Sequence, residues 1–415
     1  MTDEQIRALG PAFAAELSRY RGCFGRSDTA GHFGTFCRGL LTDLPRKSVE
    51  PIALAAGETV RTLQVFLAGG AWDEEAVRET VQRRLGAVLA GRPADDLGVI
   101  GVIDETSCEK KGDRTPGVQR QYLGCVGKLE NGVVTVHVGV AAGRFRALLD
   151  AELYLPQAWD ADRERCRDAG IPDAVGYRPK WRMAFDQYVR LRDRGHRFDW
   201  LVFDEGYGDK VPLLWLLSFV GQKFVAEVPV SFAVRRHADG PAVRADDRLP
   251  RATAVHGRRF HLRRETTHRQ VWRATAARVW VTGRRHTLVV AVCESTGEVK
   301  YFLTNAPAAS LRRVLRVAFR RWTVEHLFRV AKSEVGLTHY EGRTYRGLVR
   351  HLILCLVVLS FVTRHTDRLR GKKPGRDGGA GLPGVEPAVP GPLPPPADDR
   401  RRRPHRRGDP LPAAA

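Results

Sequence analysis

Residues 97–111 read LGVIGVIDETSCEKK, and the rest of the chain is organised around them. Val99, Ile100, Val102 and Ile103 flank Gly101 in a short apolar run that stops at a carboxylate, Asp104. β-Branched runs of this length predict a buried strand. A carboxylate at the end of such a strand is costly to desolvate unless a cation faces it. The pattern returns further on, where Phe198-Asp199-Trp200-Leu201-Val202-Phe203 runs into Asp204-Glu205-Gly206-Tyr207-Gly208-Asp209.

Between and beyond these two stretches the periodicity alternates. Residues 121–126 and 133–140 predict two further strands with Gly turns, which with the first make an antiparallel meander. Residues 159–198 are polar and helical in character. From 222 to 307 the pattern is mostly β, with strands expected at 224–230, 271–275, 278–281, 287–293 and 299–303. A very basic loop region, 235–269, separates the first two. Helical spacing resumes at Leu311 and runs through Lys332, followed by an apolar helix at 347–363.

Residues 2–96 read as helical. Ile6, Leu9, Phe13 and Leu17 recur at spacings of three and four, and Asp73 is placed to cap a helix over 74–90. That helix carries Val77, Val81, Leu85 and Val88 on one face and Arg78, Arg83 and Arg84 elsewhere, either to meet DNA or simply to face solvent. From about 371 onward the chain is rich in Gly, Pro and Arg (PGPLPPP, RRRRPHRR), too poor in apolar residues to fold, and reads as disordered.

The charge narrows the partners. A net charge of +21 favours a polyanion, most simply nucleic acid. From Arg368 on there are eleven Lys/Arg and five Asp/Glu, so the remainder is basic on its own account. The seven cysteines are scattered, with no CxxC pair, which speaks against a disulfide framework or a structural zinc and fits a reducing cytosol. The N-terminus lacks a signal pattern, and the longest apolar run, 352–362, is too short to span a bilayer; a cytoplasmic protein is expected.

A third acid lies in Arg321-Trp322-Thr323-Val324-Glu325-His326-Leu327-Phe328-Arg329-Val330-Ala331-Lys332. Arg321, Glu325, Phe328 and Lys332 are spaced by four, three and four and share one helix face. Alone, this reads as a surface salt-bridge stripe. With two strand-end acids opposite, Asp104, Asp204 and Glu325 make an oxygen ligand set suited to a pair of Mg²⁺ ions, with Mn²⁺ as substitute. Two such ions clamp the attacking and leaving oxygens of a phosphodiester displacement. Arg321 and Lys332 would grip phosphates beside the scissile bond. Lys110 and Lys111 follow the first acid as either phosphate contacts or a solvated pair. Glu105, Glu205, Asp209 and Glu334 compete as ligands. Trp322 is expected in the core, His326 in a structural role, and Gly206 and Gly208 as aids to the turn after Asp204.

The segment RWTVEHLFRVAK resembles the tyrosine–arginine–glutamate–lysine motif of DDE insertion-sequence transposases, with Arg four residues before the Glu and Lys seven after it. Ala318 stands where that motif has its Tyr. LTDLPRKSVEPIA, IDETSCEKKGDRTPGVQRQYLGCVGK, LYLPQAWDADRERCRDAGIP, FDEGYGD and EVGLTHYEGR are similar to the insertion sequence 701 family. The resemblance implies an α/β fold with an RNase H-like catalytic core. It implies Asp104, Asp204 and Glu325 as the metal-binding triad. It also implies double-stranded DNA as partner, both the element's inverted-repeat ends and the target, and a homodimer or larger synaptic assembly. The expected organisation is a small all-helical N-terminal domain (1–96), a first core part (97–221), a β-rich insertion (222–307), a second core part with the Glu helix (308–367) and a disordered tail (368–415). A repressor that binds DNA without cutting it, and a host nuclease with the same core, are the competing functions.

Overall fold

The computed structural model describes residues 8–92, 96–263 and 269–371; Ile6, the expected tail from 372 on and part of the basic 235–269 stretch lie outside them. Five helices come first: α1 (Leu9–Ser18), α2 (Ser27–Leu41), α3 (Val49–Ala55), α4 (Val60–Ala68) and α5 (Glu74–Ala90). Asp73 caps α5 as the sequence predicts, its carboxylate accepting from the N–H groups of Glu75 and Ala76.

Four strands follow: β1 (Ile100–Glu109), β2 (Gln119–Leu123), β3 (Lys128–Ala142) and β4 (Phe145–Leu153). Next come α6 (Gln157–Ala161), α7 (Arg163–Asp168) and α8 (Lys180–Asp193), then β5 (Trp200–Phe203), α9 (Glu205–Gly208), α10 (Val211–Phe219) and β6 (Phe224–Val228). The 233–304 region holds β7 (Ala233–Arg235), β8 (Ala242–Arg244), α11 (Ala245–Arg248), α12 (Arg251–Val255), β9 (Arg258–Arg263), β10 (Arg269–Val281), β11 (Arg284–Cys293) and β12 (Val299–Thr304). The described chain closes with α13 (Leu311–Ala318), a 3₁₀ turn (Phe319–Arg321), α14 (Trp322–Ser333) and α15 (Tyr345–Gly371).

This is a mixed α/β fold built on one 12-stranded sheet, in the order β2-β3-β1-β5-β6-β12-β11-β10-β7-β8, with β4 also on β3 and β9 on β10. β1 is antiparallel to β3, β3 to β4, whereas β5 is parallel to β1 and β6 to β5. The first strands are therefore not a simple three-strand meander. β3, 15 residues long, is flanked on one side by β1 and on the other by β2 and then β4, a strand the sequence reading missed.

Residues 222–307 join the same sheet, β6 pairing with β5 on one side and β12 on the other. One further expectation changes, at β10, which is one continuous strand rather than two short ones. At the other end of the chain, α15 packs on β4 and on α2, α4 and α5, so the last helix completes the N-terminal helical layer. By length and composition α15 could cross a membrane, but 78% of its apolar window is buried inside the molecule.

Candidate active site

The sheet register brings the two strand acids level. β1 and β5 pair at Ile100↔Trp200, Gly101↔Leu201 and Val102↔Val202, and the same register carried two residues on sets Asp104 beside Asp204. Asp104 does not end its strand, as the sequence suggests; β1 continues to Glu109 along β3, but its parallel neighbour stops at Phe203. There Asp204 turns to cap the single turn of α9, accepting from the Tyr207 N–H at 3.3 Å. Gly208 is needed for contact rather than for a turn: a Cβ there would meet the Glu227 carbonyl oxygen at 1.8 Å.

Side chains alternate across β1. Glu105 points to the face of α8, where it pairs with Lys180 at 2.9 Å. Asp104 points to the other face, crossed by α14. Directly across from it on β3 is His137, against whose ring the Phe328 ring of α14 lies edge-on at 5.0 Å. At the start of α14, Arg321 Nη1 is 3.3 Å from Asp104 Oδ2 and its Nη2 is 3.6 Å from Glu325 Oε1. Arg321 thus links the acid on the strand to the acid on the helix.

The electrostatics follow from burial. Desolvation raises the Asp104 carboxyl to about 7, against the pull of Arg321 and with the push of Asp204. Burial alone would lower the Arg321 guanidinium, yet it stands above its ordinary value because Asp104, Asp204, Glu227 and Glu325 surround it. Burial, Glu227 and Asp204 likewise raise Glu205. Glu227, an acid inside the apolar strand Phe224–Val228 and legible there, was missed by the sequence reading; it pairs with Lys300 of β12 at 2.5 Å.

The remaining predicted residues divide. Lys332 is half-buried on α14, near enough to His137 to affect its charge. Lys110 is spent inside the fold: its ammonium donates to the carbonyls of Thr338 at 3.3 Å and Tyr340 at 2.5 Å. Lys111, next along, is exposed. Glu334 ends α14, accepting through Oε1 from the Ser333 hydroxyl, while its carbonyl accepts from Lys47. Trp322 packs on Phe319 with ring centroids 4.3 Å apart, as expected of a core residue. Ala318 is buried at the end of α13.

Among the described residues no three His, Cys, Asp or Glu side chains converge closely enough to form a complete metal cage. The donors present nevertheless suit a hard cation: a buried carboxylate held near neutrality, a second level with it, and a third, half-exposed, within one Arg of the first.

Comparison with known proteins agrees with this chemistry. A family model described as DDE superfamily endonuclease matches residues 19–289, a span that includes Asp104 and Asp204 and stops before Glu325. The chain belongs to that family. It is also 37% identical over 173 residues to a protein of Microchaete diplosiphon described as "Probable transposase for insertion sequence element IS701". That match spans 41% of this chain and 41% of the relative.

Proposed function

We propose that this protein is a DNA transposase that binds the terminal inverted repeats of its insertion sequence, cleaves at their ends and joins the 3′-hydroxyls to target DNA. The observation that carries the reading is the level placement of Asp104 and Asp204, with Arg321 and Glu325 laid over them from α14. The strand order β4-β3-β1-β5-β6, with β3 antiparallel between β1 and β4 and the last three strands parallel, supports an RNase H-like core. The described IS701 relative supports the transposase class.

In this reading Asp104, Asp204 and Glu325 would hold divalent ions, Mg²⁺ or Mn²⁺, Glu325 exchanging its contact with Arg321 for the metal. The bound ions would supply an activated water or 3′-hydroxyl and stabilise the leaving oxygen. The protein's own groups do the rest. Arg321 and Lys332 orient the phosphates flanking the scissile bond, and Phe328 with His137 fixes the helix that carries them. Two or more protomers act together in the cytoplasm, one to each element end.

The test is cleavage of DNA carrying the gene's own flanking ends, with Mg²⁺ or Mn²⁺, by wild type and Asp204→Asn. Metal-dependent cuts at the repeat tips, lost in the variant, are expected. Binding without cleavage by either protein would replace the transposase with a repressor; cleavage with no strand joining and no preference for ends would replace it with a host nuclease.

A further inference from the structure

Far from the acids, one face at the outer end of the sheet carries a concentration of positive charge that the catalytic reading leaves unused. Residues 233–285 contain fourteen arginines and only four acidic residues, so nearly half of the chain's net +21 sits in this stretch. The strand register sorts part of it onto one surface. Trp280 on β10 pairs with Arg235 on β7 and with Arg285 on β11, so these three side chains stand in a row. Arg278, two residues before Trp280 on the same strand, shares that face, as does Arg244, opposite Ala233 on β8. On the other face at this level Val234, Val279, Val281 and His286 are buried.

The four arginines are exposed. Arg285 lies over the Trp280 ring at 5.4 Å, Arg235 donates to the Gly240 carbonyl, and Arg244 pairs with Asp246 at 2.8 Å. Among the described residues no carboxylate pairs with Arg235, Arg278 or Arg285. Three guanidinium groups without acid partners, set around a half-buried indole on a sheet face, match the phosphates and sugars of a nucleic-acid backbone.

We propose that this face, Arg235, Arg278 and Arg285 around Trp280, is a sequence-independent contact surface for duplex DNA; the proposal rests on the chain being a DNA enzyme. Its position gives it a register. From β1 to β10 there are five strand steps, about 24 Å at 4.8 Å each. The ladder sets Ala276 of β10 level with Asp104, and Trp280 lies four residues further along the strand, so duplex DNA engaged at the acids would meet the surface about eight base pairs from the cleaved phosphate.

The experiment measures affinity of the full chain for a 30-base-pair duplex of random sequence over a range of salt. The variants are the triple substitution Arg235→Ser, Arg278→Ser, Arg285→Ser and the matching triple Arg→Lys. The serine variant is expected to lose about 2–3 from the slope of log affinity against log salt, and at least about tenfold in affinity at 0.15 M salt. The lysine variant should retain the slope. A folded serine variant with unchanged slope and affinity overturns the proposal. If it does not fold, phosphate-ethylation interference on the wild-type complex with DNA carrying the gene's own flanking ends decides: interference confined to the phosphates near the cleavage site overturns the surface, whereas a second patch about eight base pairs away upholds it. Asp204→Asn belongs in the same series. If wild type cuts no ends but the slope still falls in the serine variant, the transposase reading fails and the surface stands.

Discussion

Arg321 is the only bridge described between Asp104 and Glu325: one guanidinium nitrogen lies 3.3 Å from the first and another 3.6 Å from the second. The strand acid is buried, so this cation largely determines how much negative charge the site tolerates. The folded Asp104 carboxyl, at about 7, lies above the ordinary 3.8. The folded protein therefore holds a proton that the unfolded chain releases, and the contribution to stability, greatest below the ordinary value, falls as pH rises towards 7.

Arg321→Met removes the opposing cation and pushes the carboxyl higher still. In chelated buffer the variant should lose stability chiefly above neutrality, by on the order of 1–3 kcal/mol more at pH 8 than at pH 6. Thermal unfolding at the two pH values measures this; equal losses would mean that Arg321 acts by packing alone.

Gly208 is a second point of leverage, since its α-hydrogen faces the Glu227 backbone where any side chain would collide. Gly208→Ala must shift α9 away from β6 and take the Asp204 cap with it. A cost on the order of 1–3 kcal/mol is expected. Cleavage should fall much further than in a variant equally destabilised elsewhere, and comparing the two at matched unfolding temperature checks the claim.

Asp150 on β4 is fully buried between Arg78 of α5, at 2.6 Å, and Arg190 of α8, at 2.5 Å. Burial would raise its carboxyl, but the two guanidinium groups and the Ala151 N–H hold it below its usual value. Asp150→Ala removes the acid that Arg78 and Arg190 share, leaving the buried Arg78 with only the exposed Glu75 and Arg190 with Glu152, and a loss of about 3–5 kcal/mol is expected by denaturant unfolding. A loss below about 1 kcal/mol would show that the pair is solvated in solution.

His351 on α15 is buried, donating to the Gly336 carbonyl at 2.9 Å, and burial lowers it from 6.5 to about 4. A depressed histidine contributes stability above 6.5 that is lost as pH falls through its folded value. Between pH 6.5 and 4 the wild type should lose about 3 kcal/mol through this residue alone. His351→Gln should flatten that part of the stability curve; an unchanged acid limb would assign it to other groups.

The sequence announces the acids more plainly than their setting. Asp104 and Asp204 are legible because an apolar strand has no other use for a charge, and Arg321 and Glu325 because they share a helical face. That β1 runs on past Asp104 is not legible, since Glu105 to Glu109 look like a polar loop until β3 supplies their hydrogen bonds. β4 is obscured by Arg146, Asp150 and Glu152. Two of these are acids taken up by arginines from distant helices, a pairing no local pattern contains. Lys110 reads as a surface cation for the same reason: its carbonyl partners lie some 230 residues away.

The helix α15 sets the order in which the molecule can be finished. Its Arg350, with no exposed surface, donates to the carbonyls of Phe66, Leu67 and Trp72 and covers the Trp72 ring, while Phe361 packs on Phe13 at 4.6 Å. During synthesis the first five helices leave the ribosome well before the segment that covers them, with apolar faces still open to water. The N-terminal helices are thus covered by the last helix described. A polypeptide interrupted before residue 345 would leave those apolar faces uncovered, an expected target for chaperones and proteases, and folding must wait on contacts that join the two extremes of the described chain.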